Sequence, residues 1–411
     1  MSIKSTALDV QAIRASRKLR LQLAGILGAI ATIGPLSIDM YLPALPELER
    51  SFATSATFVQ LSLSCFLIGL ALGQLFAGPL SDVYGRRRPL MIGMAVYALS
   101  SLLCAFSLSI GVLVVLRLIQ GLSGSVGVVI SRAAVRDLYS GSELTRFFAL
   151  LMIVNGLGPI AAPVIGGQLL RFTTWQGVFL VLFGAGVLFC LMIWLRLPET
   201  LAPERRSHGG LYGTVASFGK LLRNRTFMGY VLSQSFVNGA MFAYISGSSF
   251  VLQNIFGVSP QMYSLIFAVN GLGIIISGQI AGRLSGRLGE ARLLVWGLIQ
   301  CALGGLLLLF AILTSAGLPL MLPALFAVVS SVGMVGTTTF SLAMQDQGDR
   351  AGSASAMLGL LPLLTGGLIS PLVGLGGGDT ALPMAAIIAA AGICSLLCYS
   401  LLVRRRGADG P

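Results

Sequence analysis

Gly78-Pro-Leu-Ser-Asp82-Val-Tyr-Gly85 is followed by Arg86-Arg87-Arg88, and a second phrase of the same build, Gly282-Arg-Leu-Ser-Gly286-Arg-Leu-Gly289, stands 204 residues later (282 − 78 = 204). Each phrase closes an apolar run, residues 57–77 in the first case and 262–280 in the second. The same shift carries residue 21, where the first apolar run begins, to Arg225, just ahead of the seventh. One offset aligning both a loop and the start of a run indicates an internal duplication. In a chain that crosses a membrane repeatedly, duplication points to a transporter with its substrate site near mid-membrane, between the repeats.

The composition supports that class: 55% of the 411 residues are hydrophobic and 10% are charged. Crossing a bilayer as a helix takes about 20 apolar residues. Twelve runs of roughly that length occur, at 21–42, 57–77, 89–108, 110–130, 147–170, 178–195, 227–251, 262–280, 293–313, 318–344, 354–373 and 380–403. The expected fold is an all-α membrane protein of twelve transmembrane helices in two six-helix halves, 21–195 and 227–403. A polar cytoplasmic linker, 196–226, joins them, with a basic tail at 1–20 and a short tail at 404–411. A cleaved secretion signal at the start is disfavoured, because the first apolar run exceeds the usual core of about 7–15 residues and its loss would leave eleven spans.

The net charge of +13 could invite a nucleic-acid partner, but the basic residues alternate by loop. Of 27 Lys and Arg, Arg50 and Arg171 fall in loops of one side and Arg117 lies within a run. The other 24 (27 − 3), including Arg132, Arg136 and Arg146 after the fourth run, fall in segments of the opposite side. This is the positive-inside pattern and puts both termini in the cytoplasm. The basic tail then reads as a contact for anionic membrane lipid, with no nucleic acid implied. Cys65, Cys104, Cys190, Cys301, Cys394 and Cys398 all lie in apolar runs and imply neither disulfides nor a metal site. The single histidine, His208, sits in the linker. No cofactor is expected.

Asp39 is the exception to the charge pattern, an acid near the end of the first run. A carboxylate at mid-membrane costs roughly 2.5–3.5 kcal/mol on insertion scales, so such a group is a functional candidate by default. Gly34-Pro35 just before it predicts a kink that turns the carboxylate inward. In the fourth run Arg117, Gln120, Gly121 and Gly124 fall at i, i+3, i+4 and i+7, one helix face. By helix rise Arg117 lies about 10 Å, and Asp39 about 6 Å, from the outer ends of their runs, so the two occupy the same third of the membrane.

At these residues the chain resembles the major facilitator superfamily. The segment from Gly78 to Arg88 is similar to that family's signature loop between helices two and three. Arg117-Leu-Ile-Gln120-Gly121 resembles its proton-coupling motif, and Gly158-Pro159-Ile-Ala-Ala-Pro163-Val-Ile-Gly166-Gly167 resembles the motif of its drug–proton antiporters. Asp39-Met-Tyr41-Leu-Pro43-Ala-Leu-Pro46 is similar to the first helix of the bicyclomycin and chloramphenicol resistance subgroup. Gly286 stands where Asp82 would recur, so no acidic role carries to the second half. The resemblance implies that Asp39 and Arg117 couple to protons. It implies also that Gly78, Asp82, Gly85, Arg86, Arg87 and Asp137 form a conformational latch holding the cytoplasmic ends together when the protein is open outward. Gly158, Pro159, Pro163 and Gly167 would make a pliable seam.

Polar and aromatic residues within the runs are the substrate candidates: Tyr41, Gln60, Gln120, Asn155, Gln234, Asn238, Phe242 and Asn270, with Tyr244. Gln234, Asn238 and Phe242 recur at i, i+4 and i+8 on one face of the seventh run. The expected function is proton-coupled export of small amphipathic drugs, chloramphenicol- or bicyclomycin-like, by a multi-pass protein of the bacterial inner membrane working as a monomer. The alternative is a metabolite exporter or importer of the same fold. An enzyme is disfavoured, since no nucleophile with base and orienter lies in the runs. A nucleotide-driven pump is disfavoured by the lack of a Gly-x-x-x-x-Gly-Lys-Ser/Thr loop.

Overall fold

The computed structural model describes residues 17–139, 157–202, 204, 206, 212–345, 347, 351–378 and 380–403. Asn155, His208 and the first part of the 147–170 run lie outside them. The regular structure of the described residues is all helical. The first passage is broken: α1 (Arg17–Ala31) stops at Thr32, α2 (Ile33–Asp39) follows, and a 3-10 turn (Leu42–Ala44) leads into α3 (Leu45–Ser51). Pro35 has no N–H for the Ala31 carbonyl and its ring crowds that carbonyl, so the helix restarts. The Thr32 N–H bonds back to Ala29 O at 3.1 Å instead.

The first half continues through α4 (Ala56–Tyr84), α5 (Arg87–Ala105), α6 (Ile110–Leu138), α7 (Leu157–Leu169) and α8 (Trp175–Arg196). After the linker helix α9 (Tyr212–Arg223) come α10 (Arg225–Phe250), extended by a π turn (Val251–Ile255), then α11 (Pro260–Leu288) and α12 (Glu290–Leu313). α13 (Leu318–Met344), α14 (Ala351–Val373) and α15 (Leu382–Leu402) complete the chain. Among the described residues eleven passages are long and apolar enough to cross a membrane, and α7 is a shorter apolar helix.

Several elements differ from the sequence expectation: α4 runs seven residues past the expected end at 77 (84 − 77 = 7) and α11 eight past that at 280 (288 − 280 = 8). The polar linker contains a helix, α9, whose Leu221 is buried in a cluster with Phe227 and Val231 of α10 and Met357 of α14. α6 runs eight residues past the expected end at 130 (138 − 130 = 8), because Ala133, Ala134, Val135 and Leu138 are buried and keep its apolar stripe going after the charges begin.

The duplication is repeated in the backbone. α4 and α11 are both 29 residues long, and 56 + 204 = 260 and 84 + 204 = 288 relate their ends. Ser55 and Ser259 precede them, and Gly85 (φ +85°) and Gly289 (φ +81°) end them in the left-handed region that glycine adopts without strain. Within the first half α4 crosses α6 at backbone contact: a Cβ on Gly69 would strike Leu118 O, and one on Gly121 would strike Phe66 O. Small residues permit this approach.

Four hydrogen bonds cross between the halves among the described residues: Thr57 Oγ1 to Gly374 O (2.7 Å), Gln60 Nε2 to Ser246 O (3.1 Å), Gln253 Nε2 to Pro43 O (3.3 Å) and Gln261 Nε2 to Gly167 O (2.9 Å). All lie at the end of the bundle opposite the arginine loop 86–88. That end is sealed, and behind the seal lies a cavity of about 430 Å³ lined by both halves.

Candidate functional site

The break in the first passage places Asp39 at the end of α2, where it lines the cavity with 4% of its surface exposed. It has no hydrogen-bond or ion-pair partner among the described residues. Across the cavity the second half presents Tyr244 of α10 and Asn270 of α11, with Asn270 Nδ2 donating to Tyr244 Oη at 2.9 Å. The Tyr244 ring stacks on Phe267, centroids 5.4 Å apart and planes 19° from parallel, and Phe242 adds a further aromatic wall. The site is a carboxylate facing an aromatic, hydroxyl and amide surface, suited to an apolar guest with a few polar handles.

Arg117 lies at the same level but on the other side of α2, sealed in the first half with no exposed surface. Nη2 donates to Ser37 O at 3.0 Å and Nη1 to Gln120 Oε1 at 2.6 Å, while the guanidinium sits 4.3 Å from the Phe66 ring centre and 4.7 Å from that of Tyr41. The stop at Asp39 explains the first of these bonds. Carbonyls in the last turn of a helix lack intrahelical partners, and the Ser37 carbonyl finds its donor in Arg117. Ser37 Oγ also meets Tyr97 Oη at 2.6 Å, and Gln120 Nε2 donates to Ser101 Oγ at 2.7 Å. Arg117 thus grips the turn that carries Asp39 without touching the carboxylate.

Of the substrate candidates, the cavity wall includes Phe242, Asn270 and Tyr244. Tyr41 and Gln120 do not line it: both are buried in the Arg117 cage, Tyr41 Oη against Ser62 Oγ. Gln60 belongs to the seal. Gln234 and Asn238 also stand off the wall, Asn238 Nδ2 donating to Gln234 O at 2.9 Å. Arg132, expected in a loop, stands inside α6 and lines the cavity. Its apparent loop position came from ending the run at the first charge. Gln74 of α4 lines the wall too, and sequence offered no signal for it beyond its place in a run.

The arginine loop forms a cluster within the first half. Arg86 Nε donates to Asp137 Oδ2 at 2.9 Å, and Nη1 donates to Asp82 Oδ1 at 2.5 Å and Ser81 Oγ at 2.7 Å. Burial pulls the Arg86 pKa down, but the bonds and charges of Asp137 and Asp82 offset this and hold it above its ordinary value. Arg87 Nη2 donates to Trp194 O at 2.7 Å. Glu199 went unnoticed in the sequence: it accepts from the backbone N–H groups of Arg86 (2.8 Å) and Arg87 (3.2 Å) at the start of α5. A carboxylate at a helix N-terminus is stabilised by the unpaired N–H groups and the dipole. A Cβ at Gly85 would strike Glu199 Oε2, and Gly78 has only Val129 near. The cluster is expected to hold an outward-open state, yet here it is complete with the far end sealed. Its two ion pairs join α4, the loop and α6, all of the first half, so either arrangement of the halves can carry it.

The α7 motif sits where the halves meet. Gly158 lies against Pro35, Pro159 lines the cavity, Gly166 packs on the Met40 carbonyl, and a Cβ on Gly167 would be 3.0 Å from Pro260 O of α11. Pro163 lies within the same helix. No group of His, Cys, Asp and Glu that could hold a metal occurs among the described residues.

The family model described as Major Facilitator Superfamily matches residues 27–371. The chain belongs to the major facilitator superfamily. It is 46% identical over 391 residues to a Bacillus subtilis protein described as the uncharacterised MFS-type transporter YdgK, covering 95% of this chain and 97% of that one. It is 30% identical over 379 residues to a Haemophilus influenzae protein described as a bicyclomycin resistance protein homolog, covering 92% and 95%. The solved structure of the nucleoside transporter NupG shares the fold, with a TM-score of 0.77 and 14% identity over 93% of this chain and 99% of that one. The protein is a major facilitator transporter, multi-pass in the cell inner membrane, with relatives named for drug resistance.

Proposed function

We propose that this transporter exports amphipathic drugs across the inner membrane in exchange for protons, with Asp39 as the proton carrier. The observation that carries the proposal is the position of Asp39: a buried carboxylate, without a partner among the described residues, on the wall of the inter-half cavity opposite Tyr244 and Asn270. A carboxylate so placed exchanges its proton with whichever side the cavity opens to. On this proposal the arginine-rich end is cytoplasmic, following the positive-inside rule, and the sealed end faces out. The conformation described is then the one that loads drug from the cytoplasm. Drug entering near Asp39 displaces its proton inward. After the seal passes to the other end, a proton from the outer side neutralises the carboxylate and weakens its hold on the drug. Coupling rests on this difference in affinity between states. Arg117 takes part by fixing the Ser37 turn, and so the depth of Asp39, in place of an ion pair with it. Its relative described as a bicyclomycin resistance protein homolog supports a drug as cargo.

The test is proton release from detergent-purified protein on addition of chloramphenicol or bicyclomycin. The wild-type chain should acidify a weakly buffered solution, and Asp39→Asn should abolish the signal and uphill export while leaving drug bound. A normal signal from Asp39→Asn would place the carrier elsewhere.

A further inference from the structure

We propose that Arg132 is the anion-binding residue of the cavity and that the preferred cargo is an amphipathic zwitterion, its cation held near Asp39 and its carboxylate at Arg132. The inference rests on the export reading and adds the charge pattern of the substrate. Among the described residues, Asp39 and Arg132 are the two charged ones on the cavity wall. Of the other arginines near them, Arg86 is paired twice, Arg87 donates to Trp194 O and Arg117 is caged, while Arg136 lies off the cavity wall. Arg132 is exposed and has no hydrogen-bond or ion-pair partner among the described residues. Arg132 stands 22 residues (132 − 110 = 22), about 33 Å, from the start of α6, at the mouth of the cavity, where an unpaired guanidinium is open to an incoming anion.

The spacing sets the size of the guest. The Gly34 backbone lies against Val128, whose methyl would be 3.7 Å from a Cβ there. Arg132 is four residues beyond Val128 towards the arginine loop, and Asp39 is five residues beyond Gly34 in the other direction. At 1.5 Å per residue their Cα levels differ by roughly 13 Å, and both side chains, tilted towards the N-termini of their helices, extend into that interval. A fused two-ring drug with an amine at one end and a carboxylate at the other spans the remainder and fits about 430 Å³. Between the charges it would meet Phe242, Phe267 and Tyr244, with Gln74 and Asn270 as neutral polar contacts. A planar guanidinium pairs a carboxylate through two parallel bonds, which a lysine cannot reproduce. Serving only as a topology signal would not require Arg132 to face the cavity, since Arg136 stands one turn further along the same helix.

The test uses norfloxacin, which carries both charges, and its methyl ester, which keeps the amine and lacks the carboxylate. Binding to the purified full chain in lipid nanodiscs is read from the drug's own fluorescence anisotropy. The wild-type chain should bind the acid about tenfold more tightly than the ester, a typical effect for a charge-assisted bond. Arg132→Ala should bring the ratio to one by weakening the acid alone, and Arg132→Lys should restore part of it. Undiminished ester binding in Arg132→Ala shows that the cavity is intact. A ratio that survives Arg132→Ala, a wild-type chain without preference, or one that binds neither compound would overturn the assignment. Proton release on adding norfloxacin tests the export reading separately: absence of that release with the acid preference intact would sink export and leave Arg132 as the anion site.

Discussion

Gly374→Ala places one methyl group into the seal between the halves. Its Cβ would stand 2.7 Å from Thr57 Cα and 2.8 Å from Thr57 N, and Gln60 Oε1 would also be struck. The Thr57 atoms are backbone at the start of α4 and cannot swing aside. Carbon atoms rest about 3.5 Å apart, so the halves must separate there by roughly 0.8 Å. The gap stretches two bonds beside it, Thr57 Oγ1 to Gly374 O at 2.7 Å and Gln60 Nε2 to Ser246 O at 3.1 Å, each contributing about 1 kcal/mol. Losing about 2 kcal/mol from this conformation alone should shift its ratio to the oppositely open one roughly thirtyfold. The fold of each half is untouched, because the clash lies between them. In a chain with the six cysteines replaced and one cysteine introduced at Ile38 on the cavity wall, a membrane-impermeant maleimide added at the sealed end reads the population. Gly374→Ala should be labelled about thirtyfold faster than its parent, while Gly111→Ala, with nothing within 4 Å of its Cβ, should match the parent. Equal rates for Gly374→Ala and parent would refute the assignment of this contact as a seal.

Asp137 should matter more than Asp82 to the arginine cluster, since its side chain is 17% exposed against 46%, and exposed pairs contribute only about 0–1 kcal/mol. Thermal unfolding in detergent should show a larger fall in midpoint for Asp137→Asn, and the reverse order would remove the cluster as described. Arg117→Lys keeps the charge but loses the forked bonds to Ser37 O and Gln120 and the stacking on Tyr41 and Phe66. It should destabilise by about 2–3 kcal/mol and impair export without altering drug contacts, measured as a lowered midpoint with unchanged drug affinity. A reporter active only in the cytoplasm should work when fused after Arg205 or Arg405 and fail after Val258. Activity at Val258 would overturn the orientation of the chain.

Hydropathy foretold eleven of the twelve expected passages among the described residues, and the 204-residue shift foretold the relation of α4 to α11 down to the glycines that end them. These properties are local: a run of apolar residues or a glycine at a left-handed turn carries its meaning within a few neighbours. Asp39 was legible for the same reason, as its cost depends on the apolar run around it. Arg132 was misplaced because a charge looks like a run's end when the buried faces of Ala133, Ala134 and Leu138 are out of view. Glu199 carried no signal, for its partners are backbone N–H groups 113 and 112 residues away.

The sequence by itself determined the class, the passages, the duplication and the two charged residues that membrane insertion makes expensive. Only the tertiary structure decided which side of a helix each polar residue faces. Gln120 and Asn270 look alike as polar residues in apolar runs, yet one closes the Arg117 cage and the other lines the cavity. Asp39 and Arg117 share a depth but not a face, because the break at Pro35 turns α2 so that its terminal carboxylate meets the cavity while its Ser37 carbonyl meets the arginine. Depth follows from counting residues along one helix, whereas facing follows from how neighbouring helices pack around it.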